Sequence, residues 1–290
     1  MKFLGIVGIG VIIIFACFSK LDAAGDEAQG DYEIGLKLYH SKDYGEALSC
    51  FLKAADKGSA KAQGFLGSMY YSGQGVPRNF EEALKWFRKA ADQGDTIALA
   101  VLGFMYYESQ IVPQNYPEAL KWFRKAAEKG DTRAQVKLGH MYYFGQGIPH
   151  NYEEALKWFR KAADQNDTMG QVFVGLMFSN GQGVPQNYEE GLKWFRKAVD
   201  QGDAIGQRFL GEMYYKGHGV PQNYETAFEW FRKAADQGDA IAQRFVGKIH
   251  CEGYGVPQNR EEALKWFRKA ADKGNKEAIN ELRELSGQGF

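Results

Sequence analysis

Three kinds of residue in this chain have types and spacings that could do chemistry. Consecutive glutamates, such as Glu81 and Glu82, could serve as a general acid and a general base. The glycine-rich loop around Gly73 and Gly75 could hold a phosphate through backbone N–H groups. Histidines could ligate a metal ion. Whether any of these residues forms a site depends on the elements that carry them.

The glutamate pairs are better explained as parts of helix caps. In each pair the first glutamate lies two residues after an asparagine. Equivalent pairs recur at Glu153–Glu154, Glu189–Glu190 and Glu261–Glu262. An asparagine cap with a glutamate three residues later is a capping-box arrangement at the start of a helix. We therefore expect these carboxylates to stabilise helix starts and not to catalyse a reaction.

The glycine-rich loops and the histidines do not match the spacing of known sites. The first Gly-x-Gly precedes Val-Pro and does not open a helix with a lysine, which makes nucleotide binding a weak interpretation. No His-x-x-x-His or Cys-x-x-Cys spacing occurs in the sequence. The sequence therefore predicts no catalytic residue, no metal site and no cofactor. The histidines are scattered, at His40, His140, His150, His218 and His250.

What recurs in this chain is a framework of tryptophans and prolines. Its six tryptophans lie 36 residues apart, and six of its seven prolines keep the same step. A fixed period of this length is typical of one supersecondary unit stacked many times, which usually offers an extended binding surface. The tryptophans are Trp86, Trp122, Trp158, Trp194, Trp230 and Trp266, and the prolines are Pro77, Pro113, Pro149, Pro185, Pro221 and Pro257.

Each repeat is predicted to contain two helices, which we call helix A and helix B in chain order. In the first full copy, helix A ends in the loop 73–77, because its glycines permit positive φ and its proline blocks helix continuation. Asn79 caps helix B, which we expect to run from Glu81 to about Gln93. Gly94 and Asp95 then end this helix and start the next one.

Two framework positions indicate how these helices pack. In helix B, Leu84, Phe87 and Ala91 recur at spacings of three and four, which predicts a buried stripe that Trp86 widens toward the adjacent repeat. In the middle of helix A a glycine recurs, as at Gly67, where it costs roughly 1 kcal/mol of helix propensity relative to alanine. Its recurrence predicts the close approach of another helix backbone.

The unit Leu-Gly-x-Met-Tyr-Tyr-x-Gly-x-Gly-Val-Pro-x-Asn-Tyr-Glu-Glu-Ala-Leu-Lys-Trp-Phe-Arg-Lys-Ala-Ala-Asp-x-Gly resembles the Sel-one-like repeat (SLR), a relative of the tetratricopeptide repeat. The resemblance implies an all-α fold, an α/α solenoid in which helix-turn-helix repeats of 36 residues form a right-handed superhelix. It covers residues 59–274 in six copies. Residues 25–58 are predicted to form a shortened, tetratricopeptide-like N-terminal unit, and residues 275–290 a capping helix.

The first 24 residues have the layout of a secretory signal peptide. Lys2 precedes an uncharged stretch that runs from Phe3 to Phe18, and small residues follow near a plausible cleavage site. We therefore expect export to the periplasm or the cell exterior, with an uncleaved anchor or a lipid at Cys17 as the alternative. Cys50 and Cys251 belong to opposite ends of the array, so we expect no disulfide between them.

The charge balance bears on the kind of partner. The chain has 36 basic and 36 acidic residues and a formal net charge of zero, which removes the electrostatic footprint of a general nucleic-acid binder. Membrane contact is expected only through the N-terminal segment. We expect a monomer that binds a protein or a peptide.

The positions that differ between copies predict a binding surface on helix A. In the first full copy these are positions 61, 64, 65, 68 and 72, which fall on one narrow face at 100° per residue. In the resembling family helix A lines the concave side of the superhelix, which implies that partners bind there. An alternative is that position 65 and its equivalents belong partly to the core. This helix A stripe comprises Ile97, Val101, Phe104, Arg133, Lys137, His140, Met169, Val172, Phe173, Leu176, Arg208, Glu212, Arg244 and Lys248.

The function that the sequence favours is a non-enzymatic bacterial scaffold, exported from the cell. Its alternating apolar and basic segments would suit a partner segment with hydrophobic anchors and acidic residues. The resemblance also implies an alternative, because some cysteine-rich relatives act weakly on β-lactams, although their regularly spaced cysteines are absent here. A second alternative is the binding of peptidoglycan or another glycan through the aromatic side chains.

Overall fold

The computed structural model describes residues 26–108 and 112–287. The predicted signal peptide, including Cys17, lies outside the described residues. Within the described ranges all regular structure is α-helical and no strand occurs. The chain divides into two compact units, Met1–His150 and Asn151–Phe290, and each is described by itself.

The first unit consists of helix A and helix B pairs joined by short turns. Each helix A packs closely against the helix B that follows it, and each helix B packs against the next helix A. The described helices of this unit are α1 (Asp26–His40), α2 (Tyr44–Asp56), α3 (Ala60–Ser72), α4 (Phe80–Asp92), α5 (Thr96–Glu108), α6 (Tyr116–Glu128) and α7 (Thr132–Phe144).

The second unit repeats the same arrangement and begins with a helix B. Its last helix, α15, packs against α14 and starts at the Asn275 cap, whose Oδ1 accepts a hydrogen bond from the Ala278 N–H at 2.8 Å. The predicted C-terminal helix is therefore present. The described helices are α8 (Tyr152–Asp164), α9 (Thr168–Asn180), α10 (Tyr188–Asp200), α11 (Ala204–Lys216), α12 (Tyr224–Asp236), α13 (Ala240–Glu252), α14 (Arg260–Asp272) and α15 (Lys276–Gly287).

The helices begin and end at the caps that the sequence predicts. The Asn79 side chain accepts hydrogen bonds from the backbone N–H groups of Glu81 and Glu82, both at 3.1 Å, so this glutamate pair belongs to a helix start. Asp131 starts α7 in the same way, because its Oδ1 accepts from the Ala134 N–H at 2.8 Å. Gly73 ends α3 with a φ of 75°, a left-handed conformation that glycine adopts without strain.

The recurring glycine of helix A makes room for an aromatic ring. A Cβ atom at Gly103 would lie 2.5 Å from the Phe123 ring, and one at Gly211 would lie 2.9 Å from the Phe231 ring. Both phenylalanines are fully buried in helix B of the same repeat. The close approach predicted at this glycine is thus an approach chiefly of the helix B ring and not of the helix B backbone.

The tryptophans of helix B flank this core. Trp86 and Trp266 are buried, whereas Trp194 and Trp230 are half-buried, and a lysine lies over the indole, as with Lys161 Nζ at 4.1 Å from the Trp158 ring. The recurring tryptophans of helix B therefore lie partly in the core and are partly covered by lysine side chains.

Two further properties follow from the described residues. Cys50 and Cys251 are both free thiols. Of the helices that the structure describes, none combines the length and the apolar character that crossing a membrane requires.

Candidate functional site

The helix A stripe lies mostly at the edge of the core. Twelve of its fourteen predicted members are half-buried, so each packs against a neighbour while part of its side chain remains accessible. They lie on α5 and α7 in the first unit and on α9, α11 and α13 in the second. The half-buried members are Ile97, Phe104, Arg133, Lys137, His140, Met169, Phe173, Leu176, Arg208, Glu212, Arg244 and Lys248.

The expectation that Val101 and Val172 also lie on the surface is wrong. Val101 is 4% exposed and Val172 is 1% exposed. Val101 occupies the position where other copies place a phenylalanine against the preceding helix B. Val172 occupies the position of Arg208, a side chain that reaches the Asp239 cap of the following helix A. Both positions point into junctions between repeats, so both valines belong to the core.

Position 65 and its equivalents form an aromatic ladder between successive repeats. The Phe173 ring stacks on Phe159 with ring centroids 4.6 Å apart and an angle of 14°. Phe245 stacks on Phe231 in the same way, at 4.5 Å and 1°. The alternative in which this position belongs partly to the core is therefore confirmed. Phe173 is half-buried, and one face of its ring packs on Phe159.

The first unit departs from this ladder at Val101 and again at Lys137. Lys137 stands where the other repeats of the ladder have a phenylalanine. Its Nζ atom lies 4.7 Å from the centre of the Tyr107 ring and 5.7 Å from that of Phe104. The Phe104 ring in turn meets the Phe123 ring edge-on at 4.9 Å. The structure thus brings Phe104 and Lys137 together, with the ammonium group over aromatic faces.

Burial perturbs the titratable groups around Lys137. Desolvation lowers the pKa of Lys137, and the nearby Glu108 carboxylate opposes this change. Desolvation, together with the Lys137 charge, lowers the pKa of His140 to about 4. The pKa of Glu108 is raised, again chiefly by desolvation. His140 is therefore a neutral imidazole at pH 7, and it adds no positive charge to the stripe.

Most charged side chains of the stripe are held in ion pairs. Arg208 contacts Glu212 at 2.8 Å and Asp239 at 3.3 Å, and all three side chains are less than one fifth exposed. Arg244 contacts Glu281 at 3.0 Å. The remaining pairs are Arg133 with Asp131 at 3.3 Å and Lys248 with Glu252 at 3.9 Å. Less positive charge is thus free to attract an acidic partner than the residue types indicate.

A pocket of about 280 Å³ opens between α9, α10 and α11 in the second unit. Two stripe residues, Leu176 and Glu212, line it. Its deeper walls are aromatic and include Phe195 and Phe209. At the position where other copies have the second tyrosine of the Tyr-Tyr pair, this copy has Ser179, which also lines the pocket.

The residue arrangement of the whole array matches a known family. The family model described as Sel1 repeat matches seven consecutive segments, at residues 28–59, 60–95, 96–131, 132–167, 168–203, 204–239 and 240–275. The chain belongs to the Sel1 repeat family. The match includes residues 28–59, which the sequence analysis set apart as a shortened tetratricopeptide-like unit. Sel1 repeat proteins are generally scaffolds for protein–protein interaction, and most are non-enzymatic adaptors.

Solved structures of other Sel1 repeat proteins are similar to this chain. A protective antigen present in uropathogenic Escherichia coli strains, which displays an SLR fold, is 34% identical with a TM-score of 0.80. That match covers 90% of this chain, which spans 57% of the antigen. A Sel1 repeat protein from Oxalobacter formigenes is 32% identical with a TM-score of 0.76, over 83% of this chain and 96% of that protein. A search of curated proteins finds no match.

Sequence reasoning missed the residue that opens the pocket in the Sel1 repeat at 168–203. The variable positions of helix A did not include this one, because most copies have tyrosine there. Ser179 departs from that tyrosine, and so does Cys251 in the last full repeat. The signal was present, because the same repeat also has Gly191 where other copies of helix B have alanine, and the next loop has His218 where four others have glutamine. Within residues 26–108 and 112–287, no group of histidine, cysteine, aspartate and glutamate side chains is placed to hold a metal ion.

Proposed function

We propose that this Sel1 repeat protein is an exported, non-enzymatic scaffold that binds a protein or peptide through the helix A stripe. The observation that carries the proposal is the division of roles within each repeat. Constant side chains such as Phe123 and Phe231 fill the core, whereas most of the side chains that change between copies are half-exposed on helix A. Because the constant residues hold the fold, the variable ones are free to select a partner.

The chemistry of the stripe supports a partner with hydrophobic anchors. On α9 the accessible members, Met169 and Leu176, are apolar. On α11 and α13 the charged members Arg208 and Arg244 are already paired within the chain, so they favour polar contacts at a rim over a strong attraction for acidic residues. An apolar centre with a paired, polar rim is typical of surfaces that recognise a polypeptide segment.

Site-specific photocrosslinking in the native host tests this surface. We expect a photoreactive residue at position 248, on helix A, to give adducts with a partner protein. The matched control is position 265, an exposed lysine position on helix B, where we expect none. Leu176→Glu should reduce adduct formation at position 248 by about tenfold, because a carboxylate would replace an apolar anchor. Adducts at position 265 alone would contradict the proposal.

Export is tested separately. Cell fractionation should place the protein outside the cytoplasm, and mass measurement should give a chain that lacks residues 1–24. An intact chain confined to the cytoplasm would contradict export without affecting the binding surface.

The non-enzymatic part of the proposal has its own assay. Purified protein should not hydrolyse the β-lactam nitrocefin above the rate in buffer. Turnover that one substitution in the chain abolishes would overturn this part and favour a hydrolase.

A further inference from the structure

Every helix A has a position four residues after its central glycine, which we call the tyrosine slot. In α5 the slot holds Tyr107, whose ring lies 5.5 Å from the Tyr116 ring and 6.1 Å from the Phe123 ring. Its hydroxyl donates a hydrogen bond to Gln146 Oε1 in the next loop, at 2.7 Å. The slot therefore takes a phenol ring between aromatic walls, with a polar group at its end. Tyrosine occupies the slot at Tyr39, Tyr71, Tyr107, Tyr143 and Tyr215, whereas α13 has Cys251 there.

The second unit contains a filled slot that serves as the internal reference. The Tyr215 ring lies 5.2 Å from Tyr224, 6.2 Å from Phe231 and 5.7 Å from Phe245. The Tyr254 ring of the next loop lies 6.4 Å away. These four rings enclose the tyrosine from helix B, from the next helix A and from the next loop.

The slot of the preceding repeat contains Ser179 and is open. The pocket of about 280 Å³ is lined by Tyr188, Phe195, Phe209 and His218. These are the residues 36 positions before Tyr224, Phe231, Phe245 and Tyr254, so each wall of the filled slot has its counterpart. For comparison, an apolar cavity of about 150 Å³ accommodates a benzene ring. The pocket thus keeps the aromatic walls of a tyrosine slot without the tyrosine.

Two polar side chains, Ser179 and His218, lie at the open slot. Ser179 is 8% exposed, and its Oγ atom has no hydrogen-bond partner in the part of the chain that the structure describes. His218 stacks on Tyr188 at 4.3 Å and 23°, and it stands where Gln146 receives the hydroxyl of Tyr107. A ring nitrogen of histidine can accept or donate such a hydrogen bond.

A second departure from the repeat accompanies Ser179. Helix B has Gly191 where the other copies have alanine, and a Cβ atom there would lie 2.3 Å from Ser179 Oγ. The serine therefore turns toward the space that this glycine leaves, away from the aromatic walls. The two substitutions together keep the slot open.

We propose that this pocket binds the phenol ring of a tyrosine side chain from a partner polypeptide. The aromatic walls stack against the ring, and His218 receives its hydroxyl at the position where Gln146 receives that of Tyr107. The inference rests on the proposed function, because Leu176 and Glu212 place the pocket on the helix A stripe. Asn180 and Lys216 are exposed at its edge, where they can contact the main chain of a polypeptide whose ring is inserted.

Titration with small probes tests the pocket directly. In protein with ¹³C-labelled methyl groups, N-acetyl-L-tyrosinamide should shift the Leu176 and Met213 signals saturably, with a dissociation constant in the millimolar range. N-acetyl-L-leucinamide should bind about tenfold more weakly, because it lacks the ring and the hydroxyl. Equal binding of the two probes, or no binding of the tyrosinamide, would overturn the proposal.

Variants at the slot separate binding in the pocket from binding elsewhere. Ser179→Tyr should fill the slot as Tyr215 does and abolish the methyl shifts. The matched control is Ser179→Ala, which leaves the pocket open and should keep binding within about twofold, since the histidine still receives the hydroxyl. Retained binding in Ser179→Tyr would overturn the proposal. Binding of 4-methylphenol without binding of N-acetyl-L-tyrosinamide would also overturn it, because the ligand would then be a free phenol.

The same variant distinguishes this inference from the scaffold function. If Ser179→Tyr abolishes both probe binding and the crosslinks at position 248, the partner inserts its tyrosine into the pocket. If the variant loses only probe binding, the scaffold function stands and the tyrosine of a partner is not the occupant. If probes bind and no crosslinks form in the unmodified chain, the pocket stands and the proposed binding surface is overturned.

Discussion

Two helices A, α7 in the first unit and α9 in the second, each lose one aromatic residue of the framework, with opposite results. In α7 a lysine replaces the ladder phenylalanine, and its charged chain lies over the Phe104 and Tyr107 rings. In α9 a serine replaces the slot tyrosine, and no side chain takes its place. In α7 the Lys137 side chain fills the space of the lost ring, and its ammonium group is partly desolvated. In α9 the space next to Ser179 stays open to a ligand.

The difference shows how a repeat array acquires a specific site. In an array each repeat packs only against its neighbours, so the loss of one ring is a local cost. A long side chain can cover the gap with its methylene groups, as Lys137 does, and the gap then disappears. A short side chain such as Ser179 cannot, and the aromatic walls around it are held by the rest of their own helices. The site is therefore made where a short side chain replaces a recurring tyrosine and the surrounding rings stay in place.

The largest test of this comparison removes the phenylalanine below the filled slot at Tyr215 and the one below the open slot at Ser179. Phe231→Ala should lower the free energy of unfolding by about 3 to 5 kcal/mol, because the ring is fully buried and stacked on Phe245. Phe195→Ala, below the open slot, should cost about 1 kcal/mol less, because the pocket already leaves part of that ring without contacts. Urea unfolding followed by circular dichroism measures both. Equal losses would show that the pocket does not weaken the packing of Phe195.

The next test opens a second pocket. Tyr215→Ser should lower the free energy of unfolding by about 2 to 4 kcal/mol, because it removes a ring enclosed by four others. N-acetyl-L-tyrosinamide should then also shift the methyl signals of Ile249, the counterpart of Met213 in the next repeat. Tyr215→Phe is the control, since it keeps the ring and should give no new shift. A Tyr215→Ser variant whose slot collapses without binding the probe would show that Gly191 is needed to hold the pocket open.

The framework was predictable because each of its features has a local cause. The Asn79 cap, the Gly73 turn and the 36-residue tryptophan step each depend on residues within one repeat, so periodicity alone located them. The site was less predictable because its accessibility depends on neighbouring repeats. Val172 shares a helical face with Leu176 yet is buried at a junction, and a serine in place of a tyrosine opens a pocket only if nothing moves into the gap.

The third test concerns the titratable groups around Lys137 and the change in stability at low pH. In the unfolded chain His140 titrates near pH 6.5, and in the folded chain its pKa is about 4. Between these values the unfolded chain binds more protons, so the stability present at pH 7 is lost as the pH falls through this window. Glu108 acts in the opposite sense, because its pKa is raised in the folded chain and its protonation there is favoured.

The loss attributable to His140 should be about 3 kcal/mol between pH 7 and pH 4, and Glu108 contributes equally to the two proteins compared. Urea unfolding at both values, in the unmodified chain and in His140→Gln, measures it as the difference between the two proteins. The variant should be less sensitive to acid. An identical loss in both proteins would assign the acid sensitivity to other groups.

The smallest test compares a paired cation of the second unit, Arg208, with the cation that lies over aromatic rings in the first unit, Lys137. Arg208→Met should lower the free energy of unfolding by about 1 kcal/mol, because it leaves Asp239, which is less than one fifth exposed, without its cation and leaves Glu212 paired only with Lys216. Lys137→Met should be neutral or stabilising by up to about 1 kcal/mol, because methionine keeps an unbranched chain over the aromatic faces and removes the desolvated charge. Urea midpoints measured at pH 7 give both values. A loss of stability in Lys137→Met as large as that in Arg208→Met would contradict this expectation. It would mean that the contact between the Lys137 ammonium group and the aromatic faces stabilises the first unit.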